Sequence, residues 1–253
     1  VGRKLTDIKK EIDEKSFAFK DYLDDNLPND VNYFLSLLKA NFEIYIFSGV
    51  IRNYFLEFTD MRDLDIVIDG QETLTYYLEK YNHSQNSFGG YKIEFENINV
   101  DLWYLKDTWA FNFQKTMNFG LEKQLPMTSL FNFSAIIYDY NNSKFLQSSY
   151  FRSFLSNRIL DIVYEPNSNY PLVIINTFYY SEKYNLRISK KLKDFIALKH
   201  RLSINEYAEA QKKHFGKVLY TQAELEARVS ALMTKTKKKI ENLAIIPNDR
   251  RIK

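Results

Sequence analysis

Residues 62–69 read RDLDIVID, and this stretch decides how the first part of the chain is built. Successive side chains of an extended strand point to opposite faces, so Asp63 and Asp65 share one face while Leu64 and Ile66 share the other. Two carboxylates at the head of an apolar run repel each other unless a cation lies between them. Residues 98–105, INVDLWYL, repeat the theme: Asp101 is a single acid inside an otherwise apolar strand. A buried acid is costly unless it is paired or bound to a metal. Asp63, Asp65 and Asp101 together form a set of hard oxygen donors of the kind Mg²⁺ accepts while keeping waters and phosphate oxygens in its shell. Two Mg²⁺ ions, or Mn²⁺ in their place, held by these acids would serve an attacking hydroxyl on one side and a leaving pyrophosphate on the other.

Upstream, residues 43–47 (EIYIF) read as a short buried strand that stops at Ser48-Gly49, and the following VIRNYFLEF reads as a helix. Backbone N–H groups at such a strand-to-helix turn, with a small hydroxyl beside them, suit a triphosphate. The spacing leaves room for one helix and a turn between Gly49 and Asp63, and for a helix, a loop and two strands between Asp65 and Asp101. A D-x-D pair alone is a weak signal and is commonly a turn or a surface pair with a neighbouring arginine. Order and spacing raise it.

Composition narrows the remaining chemistry. The chain has 253 residues, enough for two compact units, and no cysteine, which removes thiolate metal sites, disulfides and cysteine nucleophiles. His83, His200 and His214 lack metal-ligand spacing. The chain has no apolar run of bilayer length, and its basic start lacks an apolar segment behind it, so a cytoplasmic protein without membrane insertion is expected. Only 7 glycines occur, and each is expected where a side chain would be forbidden.

The periodicity predicts helix over residues 4–26, then a second helix capped by Asp30. Residues 71–81 read as helix, 82–90 as loop, and 91–105 as a hairpin with its turn near residues 97–99. An α+β fold follows, a small mixed sheet flanked by helices and then a helical domain. The expected organisation is a helical segment at 1–29, a sheet-bearing domain at 30–140, and a helical domain with a basic tail at 141–253. Capping boxes are expected at Ser203 with Glu206 and at Thr221 with Glu224. A basic cluster, Lys235, Lys237, Lys238 and Lys239, with Arg250, Arg251 and Lys253, suits a polyanion or simply a solvated helix end.

IFSGVIRNYFL followed by RDLDIVI resembles the head of the poly(A) polymerase and tRNA CCA-adding branch of the polymerase-β-like nucleotidyltransferases, in which a GG-x-V-R-D segment precedes a D-x-D strand. The resemblance assigns Ser48 and Gly49 to the triphosphate, Arg52 to the arginine that follows, and Asp101, in NVDLWYLK, to the third acid. It extends over residues 131–139, which resemble the segment after that family's R-R-D motif, and over 171–189, which resemble its neck helix. It implies a nucleotidyltransferase head, a helical neck and body, an NTP or dNTP substrate, and Asp63, Asp65 and Asp101 as metal-holding catalytic residues. Arg62 and Tyr170 join the candidate nucleotide-binding residues. Tyr170, Tyr179 and Tyr180 are candidate base stackers, although aromatic residues on helices more commonly pack between them.

The departures bear on the substrate. The family's R-R-D positions carry Thr128, Ser129 and Leu130, and its E-D-x-x-R falls on Asn169, Tyr170 and Val173. A site without those bidentate donors does not select C and A by that scheme. The expected activity is template-independent transfer of an NMP or dNMP to a hydroxyl on a nucleic-acid 3′ end, an oligonucleotide or a protein, with release of pyrophosphate. The alternative is a catalytically inactive nucleotide- or nucleic-acid-binding module of the same fold, acting with a partner protein.

Overall fold

The computed structural model describes residues 3–47, 49–59, 61–86, 89–108, 110–111, 124–166 and 169–244. The fold is α+β and divides into two compact units, one of residues 1–158 with 163–165 and one of residues 159–162 with 166–253.

The first unit opens with helices α1 (Leu5–Asn26) and α2 (Asn29–Lys39), followed by strand β1 (Glu43–Phe47), helix α3 (Gly49–Leu56) and strand β2 (Asp63–Asp69). A one-turn helix α4 (Thr75–Leu78) leads to β3 (Asn82–Gln85), β4 (Tyr91–Glu94) and β5 (Asn99–Tyr104). Strands β6 (Ile136–Asp139) and β7 (Lys144–Gln147) and helix α5 (Ser149–Asn157) complete it. The sheet runs β3-β4-β5-β2-β1-β6-β7. Strands β2 and β5 are parallel, and the other described pairs are antiparallel.

One face of this sheet is a continuous hydrocarbon surface. Ile44, Ile46, Leu64, Ile66, Ile68, Ile93, Val100, Leu102, Ile136 and Tyr138 are all fully buried, and helices α1, α2 and α3 supply Ile12, Phe19, Val31, Phe34, Leu35 and Ile51 to the same core. Each such side chain contributes about 1.5–3 kcal/mol by leaving water. Phe19 meets the rings of Tyr138 and Phe145 at 4.8 and 5.0 Å, and the Tyr138 hydroxyl donates to the Ser16 carbonyl at 3.0 Å. Gly70 ends β2 where a Cβ would lie 2.7 Å from the Phe42 ring and 2.9 Å from the Asn41 carbonyl.

Several expectations change here. Residues 82–85, read as loop, form an exposed edge strand, because pairing to β4 supplies what their polar side chains do not signal. Residues 71–81 yield a single helical turn. Asp30 is not a cap: α2 starts at Asn29 after Pro28, and Asp30 accepts from the Val31 N–H within the first turn. Residue 140, the expected end of the sheet-bearing domain, sits in the β6–β7 turn, which Asp139 closes by accepting from the Asn142 N–H and Nδ2. Helix α1 packs within the same unit, where Gln147 of β7 donates to Asp13.

The second unit pairs two short parallel strands, β8 (Ile159–Leu160) and β9 (Arg187–Ile188), and contains helices α6 (Tyr170–Lys183), α7 (Lys190–Ser203), α8 (Tyr207–Phe215) and α9 (Gln222–Ala244). Asn169 caps α6 and Ser189 caps α7 through their side chains. The Thr221–Glu224 box is present in both directions: Thr221 Oγ1 accepts from the Glu224 N–H, and Glu224 accepts from the Thr221 N–H. The Ser203–Glu206 box is absent. Ser203 ends α7 and donates to the Lys199 carbonyl, while Glu206 precedes α8 without a side-chain cap. Buried Gln211 organises the 219–220 turn by accepting from the Leu219 and Tyr220 N–H groups. The side chains of Lys235, Lys237, Lys238 and Lys239, and residues Arg250, Arg251 and Lys253, lie outside the described residues.

Candidate active site

The sheet's second face is only partly covered, and strand register places the acids on it. Asp65 of β2 lies directly opposite Asp101 of β5, and Asp63 lies opposite Asn99 one rung away. The Asp65 rung continues through Phe47 to Ile137 on one side and through Asp101 to Lys92 on the other. Below it runs a second rung of Tyr45, Val67 and Trp103. Apolar residues at one end of these rungs and charged residues at the other form a graded surface on a single face.

The two acids abreast carry the electrostatic cost that repulsion and burial dictate. Burial, then the charges of Asp63 and Asp101, push Asp65 from its ordinary 3.8 up to about 7, against the pull of Arg52 and Arg62. Burial also raises Asp101, opposed first by Lys92. Asp63 is arranged differently. Its Oδ2 accepts from Nε and Nη2 of Arg62 at 3.0 and 2.7 Å. As arranged, no three His, Cys, Asp or Glu side chains among the described residues form a metal-holding group. The donor chemistry fits a divalent ion at Asp65 and Asp101, whose repulsion a cation would relieve, and both Arg62 bonds to Asp63 fall on Oδ2, so Oδ1 is the Asp63 atom that would join them.

The remaining candidates separate. Gly49 begins α3, and a Cβ there would meet the Arg52 guanidinium at an ordinary 3.7 Å. Arg52 rests 5.0 Å from the Phe133 ring centroid, with Nε donating to Asn53, and acts on Asp65 electrostatically. Arg62 is exposed on the Asp63 side. Ser48 lies outside the described residues. Tyr170 belongs to the second unit, where it meets Phe195 edge-on at 6.0 Å and lies under the Lys199 ammonium at 4.3 Å. Tyr179 packs against Phe215 and Tyr180 against Tyr184. Asn169 and Ser129, standing where the resembled family has charged residues, cap α6 and bond the Ser134 carbonyl respectively.

Sequence reasoning missed a cavity of about 240 Å³ beside Asp65, lined by Phe47, Val67, Trp103, Thr108, Leu125 and Thr128 among others. Trp103 follows Asp101 by two residues, so alternation alone puts it on the acidic face. Lys92 had no such signal, since only the register brings it opposite Asp101.

This sheet, with its acids abreast and a helical unit following in the chain, has the fold of several solved CCA-adding enzymes. Among solved structures it resembles a CCA-adding enzyme complexed with ATP (13% identity, TM-score 0.61, covering 83% of this chain and 53% of that one). It also resembles a CCA-adding enzyme complexed with CTP (12%, 0.60, 84% and 54%) and the Thermotoga maritima CCA-adding enzyme complexed with tRNA (14%, 0.59, 83% and 52%). The chain spans about half the length of these proteins. No family model matches the chain, and no curated protein matches it by sequence. Among the described residues no helix is long and apolar enough to cross a membrane.

Proposed function

We propose that the chain is a template-independent nucleotidyltransferase that moves an NMP or dNMP from a nucleoside triphosphate to a hydroxyl acceptor. The observation that carries this reading is the pairing of Asp65 with Asp101 on adjacent parallel strands of the partly covered sheet face. Gly49 at the start of α3 offers backbone N–H groups toward phosphate, and Arg52 and Arg62 supply positive charge near the acids. The acceptor oxygen bonds to the α-phosphorus, the bond from that phosphorus to the bridging oxygen breaks, and pyrophosphate leaves with the electron pair. Asp101 takes up the proton of the attacking hydroxyl on a carboxylate oxygen, which its raised basicity favours. Asp65 and Asp101, with Asp63, would hold divalent ions, which when bound supply charge stabilisation at the reacting phosphate.

Incubation with each α-labelled NTP and dNTP plus Mg²⁺, and with nucleic-acid and protein acceptors, tests the reading. Label on an acceptor together with pyrophosphate release supports it. Absence of pyrophosphate with every triphosphate and acceptor overturns it.

The Arg62–Asp63 pair favours a second reading, a binding module that keeps the fold without the chemistry. The two differ in thermal stability measured with NTP. A binder gains the same stabilisation from NTP and Mg²⁺ after Asp101→Asn, whereas a transferase loses its Mg²⁺-dependent part along with pyrophosphate release.

A further inference from the structure

The cavity has Asp65 in its lining at the acidic end, and the rest of its described lining has a different chemistry. It is walled by the rings of Phe47 and Trp103 and the aliphatic Val67 and Leu125, and the described lining contains no lysine or arginine. The described lining offers a phosphate no counter-charge. The threonine hydroxyls on its wall are already committed, Thr108 donating to the Leu105 carbonyl and Thr128 to the Leu125 carbonyl, both at 2.8 Å, so neither offers a donor to a ligand's edge. What the walls provide is flat apolar contact, which an uncharged planar ring system satisfies. An apolar cavity of roughly 150 Å³ accommodates benzene, and about 240 Å³ suits a ring system somewhat larger.

The indole is held ready for such a ring. A Cβ at Gly90 would lie 2.5–2.6 Å from three indole atoms of Trp103, so only glycine lets the indole lie against the β4 side of the sheet. Position along the strand identifies which ring. On the transferase reading Gly49 and Asp63 mark the phosphate end, and Val67 and Trp103 lie four residues beyond Asp63 along β2 and its partner, roughly 13 Å away at strand rise. Asp65, between them, borders the cavity. That span matches an extended nucleoside triphosphate, with its α-phosphate over the acids.

We infer that this cavity holds the nucleobase of the incoming nucleoside triphosphate, recognised by stacking and shape rather than by its hydrogen-bonding edge. The inference rests on the transferase reading of Asp65 and Asp101 for the direction of the nucleotide. Replacing Trp109 by Phe leaves Trp103 as the sole tryptophan of the full chain, and its fluorescence then reports the cavity.

Adenosine is expected to quench this emission and to compete with ATP, while inorganic tripolyphosphate binds without quenching. Thr128→Met, which fills the cavity, is expected to weaken ATP binding at least tenfold and to leave tripolyphosphate affinity within twofold. Thr108→Met carries the same test from another wall if the first variant does not fold. Gly90→Ala, which displaces the indole, is expected to weaken adenosine and ATP but not tripolyphosphate. Quenching by tripolyphosphate equal to that by adenosine, or unchanged ATP affinity in the filled variants, overturns the assignment. Quenching by L-tyrosinamide in place of adenosine also overturns it and gives the cavity to a protein acceptor. Failure of the transferase reading shows separately, as absent pyrophosphate release with adenosine quenching intact.

Discussion

Leu64 and Asp65 are neighbours in one strand, yet they face two regions governed by opposite physics. Leu64 sits in the fully buried hydrocarbon layer beneath α1, α2 and α3. Asp65 looks onto a partly covered surface where a second acid lies directly across the strand pair. The covered face lowers the free energy of the fold by removing apolar area from water. On the other face Val67 and Tyr45 join a second buried cluster, and the Asp65–Asp101 end raises the free energy, because like charges are held together at low dielectric. One strand therefore carries both the stabilising layer and the strained one, and substitutions on its two faces are expected to separate stability from activity.

The largest effect is expected on the open face. Asp65→Asn and Asp101→Asn should each lower transfer by a factor on the order of 10³, as loss of a charge-stabilising group does, with the fold retained by circular dichroism. A residual rate within tenfold of wild type would break the contrast. On the covered face, Leu64→Ala should cost about 2–5 kcal/mol in denaturant unfolding, the usual cost of truncating a buried leucine, without selectively lowering the chemical step of the molecules that remain folded.

The third expectation concerns pH. Asp65 keeps its proton in the folded state up to about 7, against an ordinary value of 3.8. The unfolded chain releases that proton first, so without metal the stability falls as pH rises from about 4 to about 7 and the loss is complete above that. For a partly exposed group the total is on the order of 2 kcal/mol. Asp65→Asn should flatten this dependence and leave the protein more stable than wild type at pH 8, and Mg²⁺ should narrow the gap by stabilising wild type. A pH-independent wild type between 4 and 8 would remove the electrostatic half of the comparison. The smallest effect is expected at the exposed Arg62–Asp63 pair. Arg62→Ala should change stability by less than about 1 kcal/mol while shifting the Mg²⁺ midpoint, read by thermal titration.

Much of this was legible in the residues. Alternation in RDLDIVID and NVDLWYL located both strands and put the acids on one side of each, and Thr221 with Glu224 marked a helix start that the structure contains. Other elements left no local trace. Strand β3, with the sequence NHSQ, has no apolar face and exists through backbone bonds to β4. Ser203 and Glu206 have the spacing of a cap but fall across the end of one helix and the start of another. Two residues that line the cavity, Phe47 and Thr128, are 81 residues apart in the chain.

Local chemistry alone settled which side chains share a face, since strand geometry fixes that two residues at a time, and composition alone removed thiol chemistry. The adjacency of Asp65 with Asp101 and the opposition of Lys92 were decided by tertiary structure, whereas the pairing of Asp63 with Arg62 is between sequence neighbours. Register between strands separated by some thirty residues depends on the whole layer of buried side chains beneath the sheet, and no short window of sequence contains that information.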